Sequence, residues 1–280
     1  MPKSKANRPG KLPIDRARGN FLLDVQNEHD HRNLPLDKVG IKKVKYPITL
    51  REKNKGTQHT IAEATMSVDL PLHFRGTHMS RFVEVLHSHA QNMELKNLKT
   101  ILSDMKQKLT ASRAHLDLVF PYTIAKRTPV TNILSCMVIQ CHFNATLDET
   151  DHFKLVYGVT VPIQTVCPCS KAISARGAHN QRANVTIRLI SKKIIWIEDL
   201  VKIAEDGASS PIYPLLKRED EKYITETGYD HAKFVEDVAR DIGTVLREAE
   251  SVSWFSIEVN SMESIHDHDA FAYLECGESA

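Results

Sequence analysis

The sequence predicts an α+β fold in which antiparallel sheet carries helices on one face, laid down twice along the chain. Segments of alternating apolar and polar residues come in pairs, as hairpin strands do. Between the pairs lie stretches with apolar residues at three- and four-residue spacing, the mark of amphipathic helices. Read coarsely, each half runs strand, strand, helix, helix, strand, strand. The halves share no evident sequence identity, so the repeat is one of architecture. Sheets of this kind leave edges that need covering, which predicts a homo-oligomer.

The elements follow in order. Residues 41–50 and 59–70 alternate and read as strands. A helix opens at residues 76–80, with Met79, Phe82, Val83 and Leu86 on one face. Residues 97–111 repeat the pattern through Leu98, Ile101, Leu102, Met105 and Leu109. Strands are predicted at 115–125, 133–147, 153–166 and 183–190. A short helix over 197–204 and a loop rich in Gly, Ser and Pro over 207–214 follow. The clearest helix covers 231–249, capped by Asp230, with Phe234, Val235, Val238, Ile242, Val245, Leu246 and Ala249 as its stripe. Strands at 252–259 and 270–276 close the chain.

With 280 residues, 41% of them hydrophobic, the chain can bury one large core or two small ones. A formal net charge of +2 gives no global case for nucleic acid. Residues 1–23 are basic and rich in Pro and Gly, lack the apolar core of a signal peptide, and read as a disordered leader. No run of eighteen apolar residues occurs, so no membrane span is expected. The unevenly spaced cysteines do not form a disulfide framework, and the expected compartment is the reducing cytoplasm. Cys136, Cys141 and Cys276 lie in or beside apolar runs and read as buried core thiols.

The chemistry concentrates in residues 166–182, VCPCSKAISARGAHNQR. Pro168 drives Cys167 toward an extended backbone. If that extension continues, Cys167 and Cys169 share a face. Gly177 allows a turn that brings His179 back toward the thiols. Thiolate and imidazole suit zinc or a similar divalent ion. A redox pair normally spaces its cysteines by two residues, and a structural zinc site needs a second cysteine knuckle absent here. Metal or catalytic chemistry, inert core thiols and redox sensing all stay open on these residues alone.

A second cluster, ESIHDHD at 263–269, puts His266 and His268 on one face if extended, with flanking acids able to orient an imidazole. Alone it reads as a solvated polar turn. With Cys167 and His179 it would complete a three-ligand metal site with a position left for water. The charged run 217–222 reads as a solvated face. Glu236 sits about 130° from the centre of its helix's apolar stripe at 100° per residue, hence exposed in a monomer. The helix start at residues 76–81 offers backbone N–H groups, His78 and Arg81 to an anion, as any helix start does. Phosphate-binding glycine loops, nucleophile elbows and HExxH helices are absent.

These residues together resemble the type IB GTP cyclohydrolase I family, the prokaryotic metal-dependent form. The matching stretches are DVQ at 24–26, GTHMSRF at 76–82, VPIQTVCPCSKAIS at 161–174, LKREDE at 216–221 and SIHDHD at 264–269. The resemblance implies a tunnelling fold of two ββααββ modules, residues 24–150 and 151–280, four subunits of which make stacked barrels. It implies conversion of GTP and water to formate and 7,8-dihydroneopterin triphosphate, the entry to tetrahydrofolate and in many bacteria to queuosine. By matching motif, Cys167, His179, Glu221 and His266 are the implied ligands of a zinc, manganese or iron ion. Cys167, Cys169 and His179 are then the implied catalytic groups, and Glu236 the carboxylate on the guanine edge. Arg81, Lys171, Arg176 and Arg182 are candidates for the triphosphate by charge and location. Two rivals are a tunnelling-fold reductase of deazaguanine nitriles, which uses a cysteine nucleophile and NADPH, and a non-catalytic zinc-stabilised binding module.

Overall fold

In the computed structural model, residues 26, 28–54 and 56–278 are described. The basic leader over 1–23, and Asp24 and Val25 of the first matching motif, lie outside them. The strands are β1 (Leu36–Arg51), β2 (Thr57–Leu70), β3 (Ala114–Arg127), β4 (Leu134–Leu147), β5 (Phe153–Val166), β6 (Asn180–Ser191), the two-residue β7 (Ser210–Pro211), β8 (Val252–Ser261) and β9 (Ala270–Gly277). The helices are α1 (Met79–His89), α2 (Leu98–Leu109), α3 (Pro168–Ile173), α4 (Ile197–Gly207), α5 (Arg218–Asp230) and α6 (Val235–Glu248). The strands form one open antiparallel sheet in the order β1-β2-β3-β4-β5-β6-β8-β9, with β7 paired to β5.

Alternation sets which face is buried. In β3, Ala114, Leu116, Leu118, Phe120 and Tyr122 are buried at every second position. The register carries that face across the sheet, with Met66 opposite Leu116, Leu116 opposite Ala145, Tyr157 opposite Leu189 and Leu189 opposite Phe255. The helices cover it: α1 and α2 lie over the first four strands, α4 and α6 over the later ones. Full burial of a Leu or Ile side chain contributes about 1.5–3 kcal/mol. The α2 stripe through Leu98, Ile101, Leu102, Met105 and Leu109 is buried as its spacing predicts. On α1 the stripe is Phe82, Val85 and Leu86, whereas Met79 and Val83 are exposed.

The edge strand β1 has exposed Lys42, Lys43 and Lys45 and two register irregularities, devices that discourage uncontrolled edge pairing.

Four expectations are corrected. Helix α6 begins at Val235 rather than at 231, and Asp230 ends α5 instead of capping it. The cap comes from Asp237, whose carboxylate accepts the Phe234 N–H at 3.0 Å. Val245 and Phe234 face out, while Gly243 faces in because a Cβ there would lie 2.3 Å from Leu274. The charged run 217–222 caps and opens α5 and is exposed as expected except at Asp220, which is fully buried. That carboxylate accepts the N–H groups of Val130, Thr131 and Lys217 and the Thr131 hydroxyl, latching the β3–β4 turn to α5. Of the three core thiols expected, Cys141 is buried, Cys276 half-buried and Cys136 exposed.

Candidate active site

Strand β5 ends at Val166 and delivers Cys167 in extended conformation (φ −71°, ψ 116°). Pro168 then occupies the first position of α3, where its fixed φ suits a helix and its missing N–H costs nothing. The extension therefore stops after one residue. Cys169 stands exposed on α3 rather than beside Cys167 on a strand face. Cys167 serves as the N-cap, its Sγ accepting the Ser170 N–H at 3.4 Å.

The loop after α3 returns to this point as expected. Gly177 takes a φ of 155°, a conformation L side chains rarely adopt. The Cys167 N–H then donates to the His179 carbonyl at 3.1 Å. Ser170 ties both residues, its hydroxyl donating to the Cys167 carbonyl at 3.1 Å and accepting the His179 N–H at 3.2 Å.

His179 Nδ1 lies 3.0 Å from Gln181 Oε1, an acceptor, which suits the tautomer that donates from Nδ1 and turns Nε2 to a ligand. Gln181 in turn donates to Glu263 Oε1 at 3.4 Å. Glu263 Oε2 is buried with no hydrogen-bond partner among the described residues. The acid of the 263–269 turn thus reaches His179 through Gln181. Gln181 carried no motif signal, and Glu263 stood out only as one acid flanking the two histidines. His266 and His268 are exposed and stacked, with ring centroids 5.3 Å apart.

The α5–α6 linker docks on the same sheet end. The Lys233 N–H donates to the Val166 carbonyl at 3.1 Å, placing the start of α6, with exposed Glu236, next to the residue preceding Cys167. Lys171 Nζ donates to the carbonyls of Tyr229 and Asp230 and lies 4.4 Å from the Tyr229 ring centroid. Arg176 lines a cleft of about 920 Å³ between the 175–178 loop and α5. Arg182 lines a neighbouring cleft of about 450 Å³, and Gln164, Asn180 and Ile224 border both. Arg81 lines neither; its guanidinium donates to the Lys108 carbonyl at 2.9 Å.

Among the described residues no three His, Cys, Asp or Glu side chains are arranged to hold a metal ion. Within one chain, Cys167, His179, Glu221 and His266 do not converge, and Glu221 is exposed on the first turn of α5. The donor chemistry does fit a divalent ion. A thiol and an imidazole whose Nδ1 contact suits ligation through Nε2 are held by shared backbone bonds, beside a turn that carries two further imidazoles and an unpaired carboxylate oxygen.

The fold is similar to that of two uricases of known structure. The chain aligns with a uricase from Bacillus fastidious at a TM-score of 0.54 and 10% identity, over 86% of this chain and 92% of that one. Urate oxidase from Bacillus sp. TB-90 aligns at 0.51 and 9%, over 87% and 100%. At such identity the likeness is of fold alone. Sequence assigns the family. Residues 22–272 match the model described as type I GTP cyclohydrolase folE2. Proteins named GTP cyclohydrolase FolE2 are 50% identical in Geobacter sp. (strain M21), over 91% of this chain and 94% of that one, and 52% identical in Thermosipho africanus (strain TCF52B), over 90% and 96%. The chain belongs to the type I GTP cyclohydrolase FolE2 family. Among the described residues no helix is long and apolar enough to cross a membrane.

Proposed function

We propose that this protein hydrolyses GTP to formate and 7,8-dihydroneopterin triphosphate, the first step of tetrahydrofolate synthesis. The observation that carries the reading is 50% identity over 254 residues with a protein named GTP cyclohydrolase FolE2. The Cys167–His179 pairing beside an open cleft supports it.

The substrate explains the groups. Glu236 offers a carboxylate that accepts two hydrogen bonds, from guanine N1–H and the exocyclic amine, a pattern adenine lacks. Arg176 and Arg182 line the clefts and suit the triphosphate. Lys171 is already engaged by carbonyls and fixes the cleft wall, while Arg81 bonds the Lys108 carbonyl away from both clefts and gains no support for a triphosphate role. Cys167, His179, His266 and Glu221 would hold a zinc, manganese or iron ion. When bound, such an ion brings the pKa of its water toward neutrality for attack at a poorly electrophilic purine C8. His179, oriented through Gln181 and Glu263, presents Nε2 to that region. Cys169, exposed on α3, stands ready as a second thiol near the substrate.

The reading includes a cytoplasmic tunnelling-fold homotetramer with modules over 24–150 and 151–280. Its support is the element order, which repeats a four-strand meander with two covering helices, α3, β7 and α5 being additions to the second. Purified protein incubated with GTP and zinc, manganese or ferrous ion should release formate and a fluorescent pterin. NADPH consumption without formate would transfer it to the nitrile reductases, and bound metal without turnover would make it a binding module.

A further inference from the structure

We propose that Ser209 is a positioning residue for the reaction, fixing the separation between the Cys167 thiol and the Glu236 carboxylate. The inference rests on the reading above that both act in one site. Ser209 lies between α4 and β7 and is 2% exposed. The β5–β7 ladder pairs Ile163 with Pro211 and Gln164 with Ser210. Just past it the ladder is replaced by a side chain, and Ser209 Oγ accepts the Val166 N–H at 3.2 Å. The same oxygen accepts the Lys233 N–H at 3.2 Å.

One hydroxyl thus receives the N–H of the residue immediately before Cys167 and of a residue one helical turn before Glu236. Two acceptor lone pairs meet two donors, so its accepting capacity is fully used. Lys233 keeps a second acceptor in the Val166 carbonyl, and its Nζ is fixed by the Gly207 carbonyl at 3.0 Å and by Asp241 at 2.8 Å. The bonded pair at this end of the β5–β6 ladder is Cys167–His179, so the Val166 N–H points away from β6 toward Ser209, and Val166 is 5% exposed. Removing the hydroxyl leaves the buried Val166 N–H without its acceptor and ties the start of α6 to β5 through the Val166 carbonyl alone, so the two can shift against each other. That changes the distance across the site rather than the fold as a whole. Cys167 and Glu236 would address opposite parts of one purine, and misplacement by about 1 Å can cost a hundredfold in rate.

The experiment uses the full-length, metal-loaded protein in its native assembly, with GTP as substrate. Ser209→Ala is expected to lower kcat/KM by about ten- to a hundredfold with metal content retained. Ser209→Thr, which keeps the hydroxyl, should recover to within about threefold of wild type. Ser210→Ala, which deletes the adjacent buried hydroxyl, should leave kcat/KM unchanged and calibrates the loss of stability. Combined with Glu236→Gln, Ser209→Ala should cost less than the product of the two single losses, since both act through one carboxylate. Wild-type kcat/KM in Ser209→Ala, or losses that multiply, overturns the inference. Should Ser209→Ala not fold, Ser209→Cys, similar in size with a poorer acceptor, is read by the same criteria. Wild-type kinetics in Glu236→Gln would overturn the site reading itself and this inference with it. An impaired Glu236→Gln beside a normal Ser209→Ala removes the inference alone.

Discussion

Cys167 and His179 are joined through their backbones, the N–H of the thiol residue donating to the carbonyl of the imidazole residue at 3.1 Å. Together with the β5–β6 register, in which Val166 faces Asn180, this bond closes the loop that carries α3. The thiol and imidazole are thus placed by sheet geometry. A ligand pair built on a ladder end is held more rigidly than one on a free loop.

Metal retention follows from that pairing. Cys167→Ala and His266→Ala should each lose most of the bound divalent ion and nearly all turnover, with far-UV circular dichroism unchanged. Chelation should abolish activity, and added metal should restore it. Full occupancy by elemental analysis in both variants would place the ligands elsewhere.

The buried pair Lys126–Glu205 makes a stability prediction. Their side chains are 8% and 16% exposed, and Lys126 Nζ also meets the Ile212 carbonyl and lies 4.2 Å from the Tyr213 ring centroid. Burial pushes the lysine pKa down and the carboxylate pKa up, while their pairing opposes both shifts. Lys126→Met leaves the carboxylate buried alone and should cost about 3–5 kcal/mol in chemical denaturation. Lys126→Met with Glu205→Leu should recover most of that. A double variant as unstable as the single would show that Glu205 is solvated without its partner.

The limits of sequence reading show in α3 and α5. Strands such as β3, and the helix α2, were legible because burial there follows a simple period. Helix α5 was not, because Asp220 and Gly228 are its buried residues and neither marks an apolar stripe. A charged run looks solvated until a carboxylate finds four donors, and three of them lie about ninety residues away in the β3–β4 turn. Likewise Cys-Pro-Cys was read as extended because Pro168 restricts the residue before it. Proline equally starts a helix after itself, and that second rule won. Ser209 was invisible because a bond from a side chain to a distant backbone N–H leaves no local pattern, and Gln181 because its link to Glu263 spans 82 residues.

Two histidines should set part of the acid response. His142 bonds Thr160 Oγ1 at 3.1 Å, and its pKa is lowered first by burial and then by Arg188. His115 is lowered likewise, first by burial and then by Lys38. A depressed folded pKa means the unfolded chain binds the proton more readily. The contribution is complete above the unfolded value, about 6.5, and is lost as pH falls through the lower folded value. His142→Gln should therefore flatten the decline of stability below pH about 6.5, measured by urea titration across that range. An unaltered slope in His142→Gln and His115→Gln alike would assign the acid response to other groups.

Assembly is tested independently of catalysis. Among the described residues the open sheet ends in unpaired edges at β1 and β9, and exposed Phe271 and Tyr273 stand on the β9 edge strand. Light scattering should give a symmetric oligomer with the mass of a tetramer. A stable, active monomer of 31.7 kDa at micromolar concentration would contradict it.

Glu236 separates fold from function most cleanly. It is exposed on α6, as its position off the apolar stripe predicts, so Glu236→Gln should change stability by no more than about 0.5 kcal/mol. The amide keeps the size of the carboxylate, but it replaces a charged acceptor with a group that accepts at one end only. Hydrogen bonds to charged partners are worth about 1.5–3 kcal/mol, so kcat/KM for GTP should fall by about ten- to over a hundredfold. Preference for GTP over ATP should shrink along with it, because the contact proposed for Glu236 is one that guanine can make and adenine cannot. The segment leading into the helix that carries Glu236 is docked against Val166 by the Lys233 N–H. An unchanged melting temperature with lost turnover is the expected pair of results. Wild-type kinetics would return the residue to an ordinary solvated helix face.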